Sequence, residues 1–241
     1  MAGRVVLVTG STSGIGEATA LRFAAAGELV VFNSARSVAQ GEALASVTAN
    51  AQYVQADIAV EGECERLMNE ILERFGRLDV LVNNAGRTRV IPHHDLDAAS
   101  LEVWREIFEL NVFGTWNLSV AAMKALRDSH GCIVNVTSIA GLRPEGSSIP
   151  YAASKAALNH MTALLAKAVG PEVRVNAVAP GLIDTPWTAD GDANRAFVQK
   201  VAPLRRTGTP EDVADVIMAL SSSPYVTGQV VTVDGGFTLA N

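Results

Sequence analysis

The stretch Thr9-Gly10-Ser11-Thr12-Ser13-Gly14-Ile15-Gly16 decides how this chain is read. It follows a short apolar run, Arg4 to Thr9, and leads into Gly16 to Ala26, which has helical periodicity. Glycines at a strand-to-helix junction permit a tight turn and close backbone approach. The free N–H groups and positive dipole of the following helix then attract a pyrophosphate. Glycine triplets also occur in ordinary turns, but this placement near the N-terminus favours a dinucleotide site formed by Gly10, Ser11, Ser13, Gly14, Ile15 and Gly16.

Outward from this turn, further apolar runs recur at Leu29 to Asn33, Gln52 to Gln55, Leu78 to Val82, Cys132 to Thr137, Arg174 to Val178 and Gln229 to Val233. Each reads as a strand buried on both faces. Helical periodicity fills Glu61 to Phe75, Val103 to Leu126, Tyr151 to Ala168 and Glu211 to Ser221. The alternation predicts an α/β fold: a single-domain, Rossmann-type, doubly wound parallel sheet of about seven strands with helices on both faces. No linker or repeat divides residues 1–241, so one dinucleotide-binding oxidoreductase domain is expected. Its break in rhythm, at about 180–210, reads as a mobile loop near the substrate.

Composition narrows the partners. Of 241 residues, 18% are charged and 49% hydrophobic, with a net charge of −6, which argues against disorder and against nucleic acid as a partner. Val5 to Val8 is too short for a signal sequence or membrane span, and no membrane association is expected. Cys64 and Cys132 have neither disulfide nor metal-ligand spacing. No metal is therefore expected, and a reducing cytoplasm fits best.

The second strand ends in Val30-Val31-Phe32-Asn33-Ser34-Ala35-Arg36-Ser37. A site for NAD usually places a carboxylate there to hold the ribose 2′-hydroxyl. This segment has no carboxylate and one guanidinium, so Arg36, with Ser34 or Ser37, would attract a 2′-phosphate. NADP(H) is favoured over NAD(H); the alternative is that Arg36 is a solvated loop residue.

Tyr151-Ala152-Ala153-Ser154-Lys155 opens a helix, and the four-residue spacing puts the phenol and the ammonium on one face. A neighbouring cation stabilises phenolate and brings tyrosine toward a working pH as a general acid and base. Ser138 ends a buried strand at the same sheet edge, where its hydroxyl can polarise a carbonyl. Asn111 interrupts a helical run, where asparagine is a poor helix former, and is a candidate to hold a water.

Taken in order, Thr9-Gly10-x-x-x-Gly14-Ile15-Gly16, Asp57, Asn83-Asn84-Ala85-Gly86, Asn111-Val-Phe-Gly114, Ser138, Tyr151-x-x-x-Lys155 and Pro180-Gly181 resemble the short-chain dehydrogenase/reductase family over essentially the whole chain. The resemblance implies that Asp57, with Ile58 beside it, contacts the adenine, and that Asn84, Ala85 and Gly86 pass beside the adenosine ribose. It implies that Tyr151 exchanges the proton and also contacts the cofactor, Ser138 orients the carbonyl, Lys155 binds the nicotinamide ribose and lowers the tyrosine pKa, and Asn111 holds a proton-relay water. Pro180, Gly181, Ile183 and Thr185 would lie against the nicotinamide. Asn33 to Ser37 is similar to members that use NADP(H), especially 3-oxoacyl-thioester reductases. A homotetramer (or homodimer) is also implied.

The expected activity is hydride transfer between NADP(H) and a small-molecule ketone or secondary alcohol. An alternative is a 3-oxoacyl-[acyl-carrier-protein] reductase of fatty-acid synthesis. Such an enzyme docks an acidic carrier, for which Arg87, Arg89, Arg143, Arg205 and Arg206 are candidate contacts, although the net negative charge disfavours it. A dinucleotide-binding regulatory protein without turnover is the alternative from another class; it would not need a positioned phenol. His93 and His94 read as a solvated loop, Arg143 as a salt-bridged surface residue, and Trp187 either as a cap on the substrate pocket or as packing under its loop.

Overall fold

The computed structural model describes residues 3–189 and 191–240. Seven parallel strands form one sheet in the order β3-β2-β1-β4-β5-β6-β7. They are β1 (Val5–Val8), β2 (Leu29–Ser34), β3 (Ala51–Gln55), β4 (Val80–Asn83), β5 (Cys132–Val136), β6 (Arg174–Pro180) and β7 (Val230–Val233). The strands read from the sequence all form, with ends that move by a residue or two. β1, β4 and β5 are buried along their full lengths, which is why they read as continuous apolar runs rather than alternating ones.

Helices cover both faces. They are α1 (Gly14–Ala25), α2 (Val38–Val47), α3 (Glu63–Phe75), α4 (Leu101–Phe108), α5 (Thr115–Ser129), α6 (Ile149–Val169), α7 (Asp192–Val201) and α8 (Pro210–Ser222). On one face, Leu67, Ile71, Leu118 and Leu126 pack against Leu7, Leu81 and Ile133. On the other, Phe23, Val213 and Ile217 pack against Val6, Val8 and Val134. Alternate residues of each strand thus feed two separate cores. Truncating any one of these large side chains to alanine typically costs about 2–5 kcal/mol.

Three differences from the sequence reading have local causes. The expected helix from Val103 to Leu126 begins earlier, where Ser100 Oγ accepts from Val103 N, and it widens into a π-helical turn at Glu109–Gly114. A helix, α2, follows Arg36; only Gly41 is buried along it, so it carries almost no apolar periodicity. The stretch at about 180–210 holds a 3₁₀ turn, Pro186–Thr188, and α7 rather than an uninterrupted loop.

Candidate active site

The strand order reverses between β1 and β4, so the loops leaving their C-terminal ends diverge and open a crevice. A cleft of about 430 Å³ lies there. Of the expected residues, Gly10, Ser13, Gly14, Ile15, Ser34, Arg36, Asp57, Ile58, Asn84, Ala85, Gly86, Ser138, Tyr151, Lys155, Pro180, Gly181, Ile183 and Thr185 line it. The remaining three, Ser11, Gly16 and Asn111, do not.

The glycine turn is built for close approach. Gly10 and Gly14 have φ of +61° and +56°, a conformation that side chains disfavour. A Cβ on Gly10 would lie 3.0 Å from Ala85 Cα, and one on Gly14 would lie 3.2 Å from Thr185 Cγ2. Asn84 holds the turn from the β4 side, its Nδ2 donating to the carbonyls of Thr9 (2.9 Å) and Gly10 (3.1 Å). Ser13 sits at the start of α1 with its hydroxyl uncommitted. This arrangement suits an anionic pyrophosphate at a helix N-terminus. Ser11 is fully buried behind the turn, where its Oγ accepts from Asn33 N (2.9 Å) and fixes β1 to β2. Gly16 is a packing position, since a Cβ there would collide with Asn84 and the Gly10 carbonyl.

At the far end of the cleft, Asn33 turns its side chain inward, donating to the carbonyls of Val54 (3.0 Å) and Ala56 (3.2 Å). Ser34, Arg36 and Ser37 line the cleft there. Arg36 is exposed and has no carboxylate paired to it among the described residues. Asp57 is the one carboxylate among the lining residues, and its Oδ1 accepts from Ala59 N at 3.1 Å.

The third part of the cleft gathers Ser138, Tyr151 and Lys155. Ser148 caps α6, its Oγ accepting from Tyr151 N, which places Tyr151 in the first turn and Lys155 one turn on. Lys155 is buried, donates to the Val136 carbonyl at 2.9 Å, and holds its Nζ 5.7 Å from the centre of the Tyr151 ring. Ser138 Oγ accepts from Ala140 N at 3.1 Å, which leaves its O–H free to donate. Burial raises the Tyr151 pKa above its ordinary 10, with Ser138 pulling the other way, and burial lowers Lys155 to about 8. In the protein alone, loss of water is the largest influence on the phenol, and it acts against the fall that Lys155 and a nicotinamide cation together would bring.

Asn111 lies in the π-helical turn, one layer behind the cleft. Its Oδ1 accepts from Arg87 N (2.8 Å), and its Nδ2 donates to Arg87 O (3.0 Å) and Ser154 Oγ (3.0 Å). A Cβ on Gly86 would lie 3.6 Å from both Asn111 Oδ1 and Lys155 Nζ, so the two side chains converge behind that glycine.

Residues not singled out as site residues also line the cleft, among them Arg87, Leu110, Thr137, Pro186 and Thr188. Pro186 and Thr188 fall in the stretch at about 180–210 expected near the substrate, and Arg87 was a candidate carrier contact, whereas Leu110 and Thr137 owe their place to loop and helix paths that no local pattern shows. Trp187 lines the cleft half-exposed, with its ring 6.4 Å from that of Tyr151 at 60°. Arg143 does not line the cleft and forms no ion pair among the described residues, so the expected salt bridge is absent there; it donates to the Thr238 carbonyl at 3.3 Å. His94 is exposed, whereas His93 Nε2 lies 3.1 Å from the Gly146 carbonyl. No cluster suited to a metal ion occurs among the described residues.

Sequence and structure comparisons agree with this geometry. Residues 10–238 match a family described as Enoyl-(Acyl carrier protein) reductase. A granaticin polyketide synthase protein of Streptomyces violaceoruber, provisionally named ketoacyl reductase 2, is 58% identical over 96% of this chain and 95% of its own length. A 3-oxoacyl-[acyl-carrier-protein] reductase of Synechocystis sp. is 40% identical over 98% and 97% of the two chains. The solved structure of ElxO with NADP bound superposes with a TM-score of 0.90 at 31% identity, covering 98% of this chain and 99% of that one. The chain belongs to the short-chain dehydrogenase/reductase family and is an oxidoreductase that interconverts ketones and secondary alcohols with a dinucleotide cofactor.

Proposed function

We propose that this enzyme is an NADP(H)-dependent ketoacyl reductase in which Tyr151 donates the proton to the substrate oxygen. The observation that carries the reading is the meeting of Ser138, Tyr151 and Lys155 at one end of a cleft whose other end holds the glycine turn and Arg36. The bound nicotinamide supplies hydride in reduction and accepts it in oxidation. The chain's own groups do the rest. The Ser138 O–H, which faces the Tyr151 phenol while Ala140 N donates to its oxygen, hydrogen-bonds the carbonyl and orients it toward the phenol. Tyr151 keeps its proton at neutral pH, since burial raises its pKa, and so serves as the acid in reduction. Lys155 binds the nicotinamide ribose and steadies the phenolate as it forms, and Asn111 holds the Arg87 backbone and Ser154 behind it.

Gly10, Ser13, Gly14 and Ile15 hold the pyrophosphate, while Asn84, Ala85 and Gly86 flank the adenosine ribose. Asp57 and Ile58 meet the adenine, and Pro180, Gly181, Ile183 and Thr185 back the nicotinamide. Ser11 and Gly16 support the glycine turn from behind. NADP(H) is preferred over NAD(H) because Arg36 offers an unpaired charge where a carboxylate would repel a 2′-phosphate. The ketoacyl substrate is inferred from the relatives named above. Delivery on an acyl carrier protein is the second reading, favoured by the Synechocystis relative. Of its candidate contacts, Arg87 and Arg89 pair with Glu106, and Arg206 with Asp212, so much of that positive charge is already neutralised.

The domain is taken as one unit with a substrate region at about 180–210, roofed by Trp187. Exposed apolar side chains of α4, α5 and α6, including Leu101, Trp116, Val120 and Leu164, support a homotetramer or homodimer. Both cysteines are unpaired and buried, which fits a cytoplasmic location.

Replacement of Tyr151 by Phe tests the assignment. The variant should lose about 10²- to 10⁴-fold in kcat while binding NADPH as before, because only the proton transfer is removed. Turnover within tenfold of the parent enzyme would show that another group supplies the proton.

A further inference from the structure

Tyr53 on β3 is outside the cleft and matches no motif of the chain, yet it reaches the residue at the cleft's cationic end. Its hydroxyl lies 2.9 Å from Ser34 Oγ, with either oxygen able to donate. The same O–H can donate to the Ser34 carbonyl, but at 3.4 Å that is the longer of its two contacts. That carbonyl accepts from Ala56 N at 3.2 Å, and Gln55 Nε2 donates to the Ala35 carbonyl at 2.9 Å. The turn that presents Arg36 is therefore held from the β3 side. The ring of Tyr53 fits over α2 only because residue 41 is glycine: a Cβ there would overlap the ring. A bulky aromatic in this space, with its hydroxyl on a cleft-lining serine, exceeds what packing a strand against a helix requires.

Hydrogen-bond polarity gives the arrangement a use. A phosphate is an acceptor, so Ser34 can bond one only by donating its own O–H. With its one proton so used, its oxygen can only accept in the contact with Tyr53. Tyr53 stands where that donor is needed. With Tyr53 O–H donating to Ser34 Oγ, the serine proton is turned outward, and donation by one hydroxyl strengthens donation by the next.

We propose that Tyr53 is a positioning residue for cofactor selectivity, orienting the Ser34 hydroxyl as a donor to the 2′-phosphate of NADP(H). The inference rests on the reading of Arg36 and Ser34 as the 2′-phosphate site. It assigns the selectivity to a relay from β3 through Ser34 as well as to the Arg36 charge.

The test is Tyr53→Phe, which keeps the ring over Gly41 and removes only the hydroxyl. Binding of 2′,5′-ADP and of 5′-AMP is measured by titration calorimetry, alongside KM for NADPH and NADH. The parent protein should bind 2′,5′-ADP the more tightly. Tyr53→Phe should weaken 2′,5′-ADP about three- to tenfold, as expected for the loss of support to one charge-assisted hydrogen bond, and leave 5′-AMP and NADH unchanged. Ser34→Ala should weaken 2′,5′-ADP by at least as much, and the double variant should lose no more than the larger single effect. If Tyr53→Phe fails to fold, the Ser34→Ala ratio decides: an unchanged preference for 2′,5′-ADP overturns the relay. Equal weakening of both nucleotides by Tyr53→Phe also overturns it, since that is the mark of a merely structural role. A parent protein that favours 5′-AMP and NADH refutes the NADP(H) reading itself, a different failure from an unchanged ratio in the variants.

Discussion

Lys155 carries the clearest pH dependence of any residue at the site. Buried beside Tyr151, its pKa is lowered to about 8 from 10.5, while that of the phenol is raised above 10 by the same loss of water. On the proposed roles of Tyr151 and Lys155, ketone reduction needs the phenol protonated and the lysine charged. The first condition holds well above neutral pH; the second fails as pH rises through about 8. In the free enzyme, kcat/KM for reduction should accordingly be flat on the acid side and fall about tenfold per pH unit above roughly 8. Lys155→Arg keeps its charge at all these values and should move the fall to higher pH, whatever it does to the plateau. A profile of the parent enzyme that stays level to pH 10 would exclude Lys155 as the group responsible. The identities of Tyr151, Lys155 and Ser138 were legible in the sequence, because a four-residue helical spacing and a strand end are local features. The direction of the tyrosine shift was not. It depends on how deeply the pair is buried, and that is set by Val136, the Ile139–Gly141 turn and the α6 cap together.

Among the elements, those that bury a large apolar face announce themselves and those that do not stay hidden. The strands and the helices α3, α6 and α8 were readable on that ground. Helix α2 was not, since its one buried residue is Gly41, made necessary by Tyr53. Helix α7 was hidden for another reason: its apolar contact is small, Phe197, Val198 and Val201 meeting Phe237 and Ile139, and one arginine adds polar ties to the neighbouring turn. Arg195 Nε donates to Asp184 Oδ1 (2.8 Å), and its terminal nitrogens donate to the carbonyls of Thr188 (2.7 Å) and Ala189 (3.1 Å) and to Asp192 Oδ1 (2.9 Å). One side chain thus joins α7 to the turn that bears Trp187 and to the segment following Ile183. Arg195→Met should raise the substrate KM several-fold with a smaller change in kcat, because it disturbs the roof rather than the reacting groups. Combined with Trp187→Ala it should add little, since both act on the same wall; fully additive effects would mean that Arg195 works through something other than Trp187.

Across the whole molecule, the cleft draws its lining from the ends of β1, β2, β3, β4, β5 and β6 and from the turn before α7. A ligand filling it touches segments that are far apart in the chain and can bind all of them only in the folded state. NADPH binding should therefore stabilise the fold as a unit rather than one loop of it. At a free concentration one hundred times its Kd, the gain is about 2.7 kcal/mol. For a domain of this size, each kcal/mol corresponds to roughly 2–4 °C in Tm, so thermal unfolding should shift upward by about 5–10 °C as a single transition. Tyr151→Phe should show most of the shift, because it removes one hydroxyl and leaves the rest of the cleft lining in place. Arg36→Ala should show a smaller shift with NADPH at the same concentration and an unaltered one with NADH, since only the 2′-phosphate meets that charge. A shift confined to part of the transition would mean that the glycine turn and the β6 segment do not engage the same bound molecule. Equal losses for both nucleotides in Arg36→Ala would remove Arg36 as the source of selectivity.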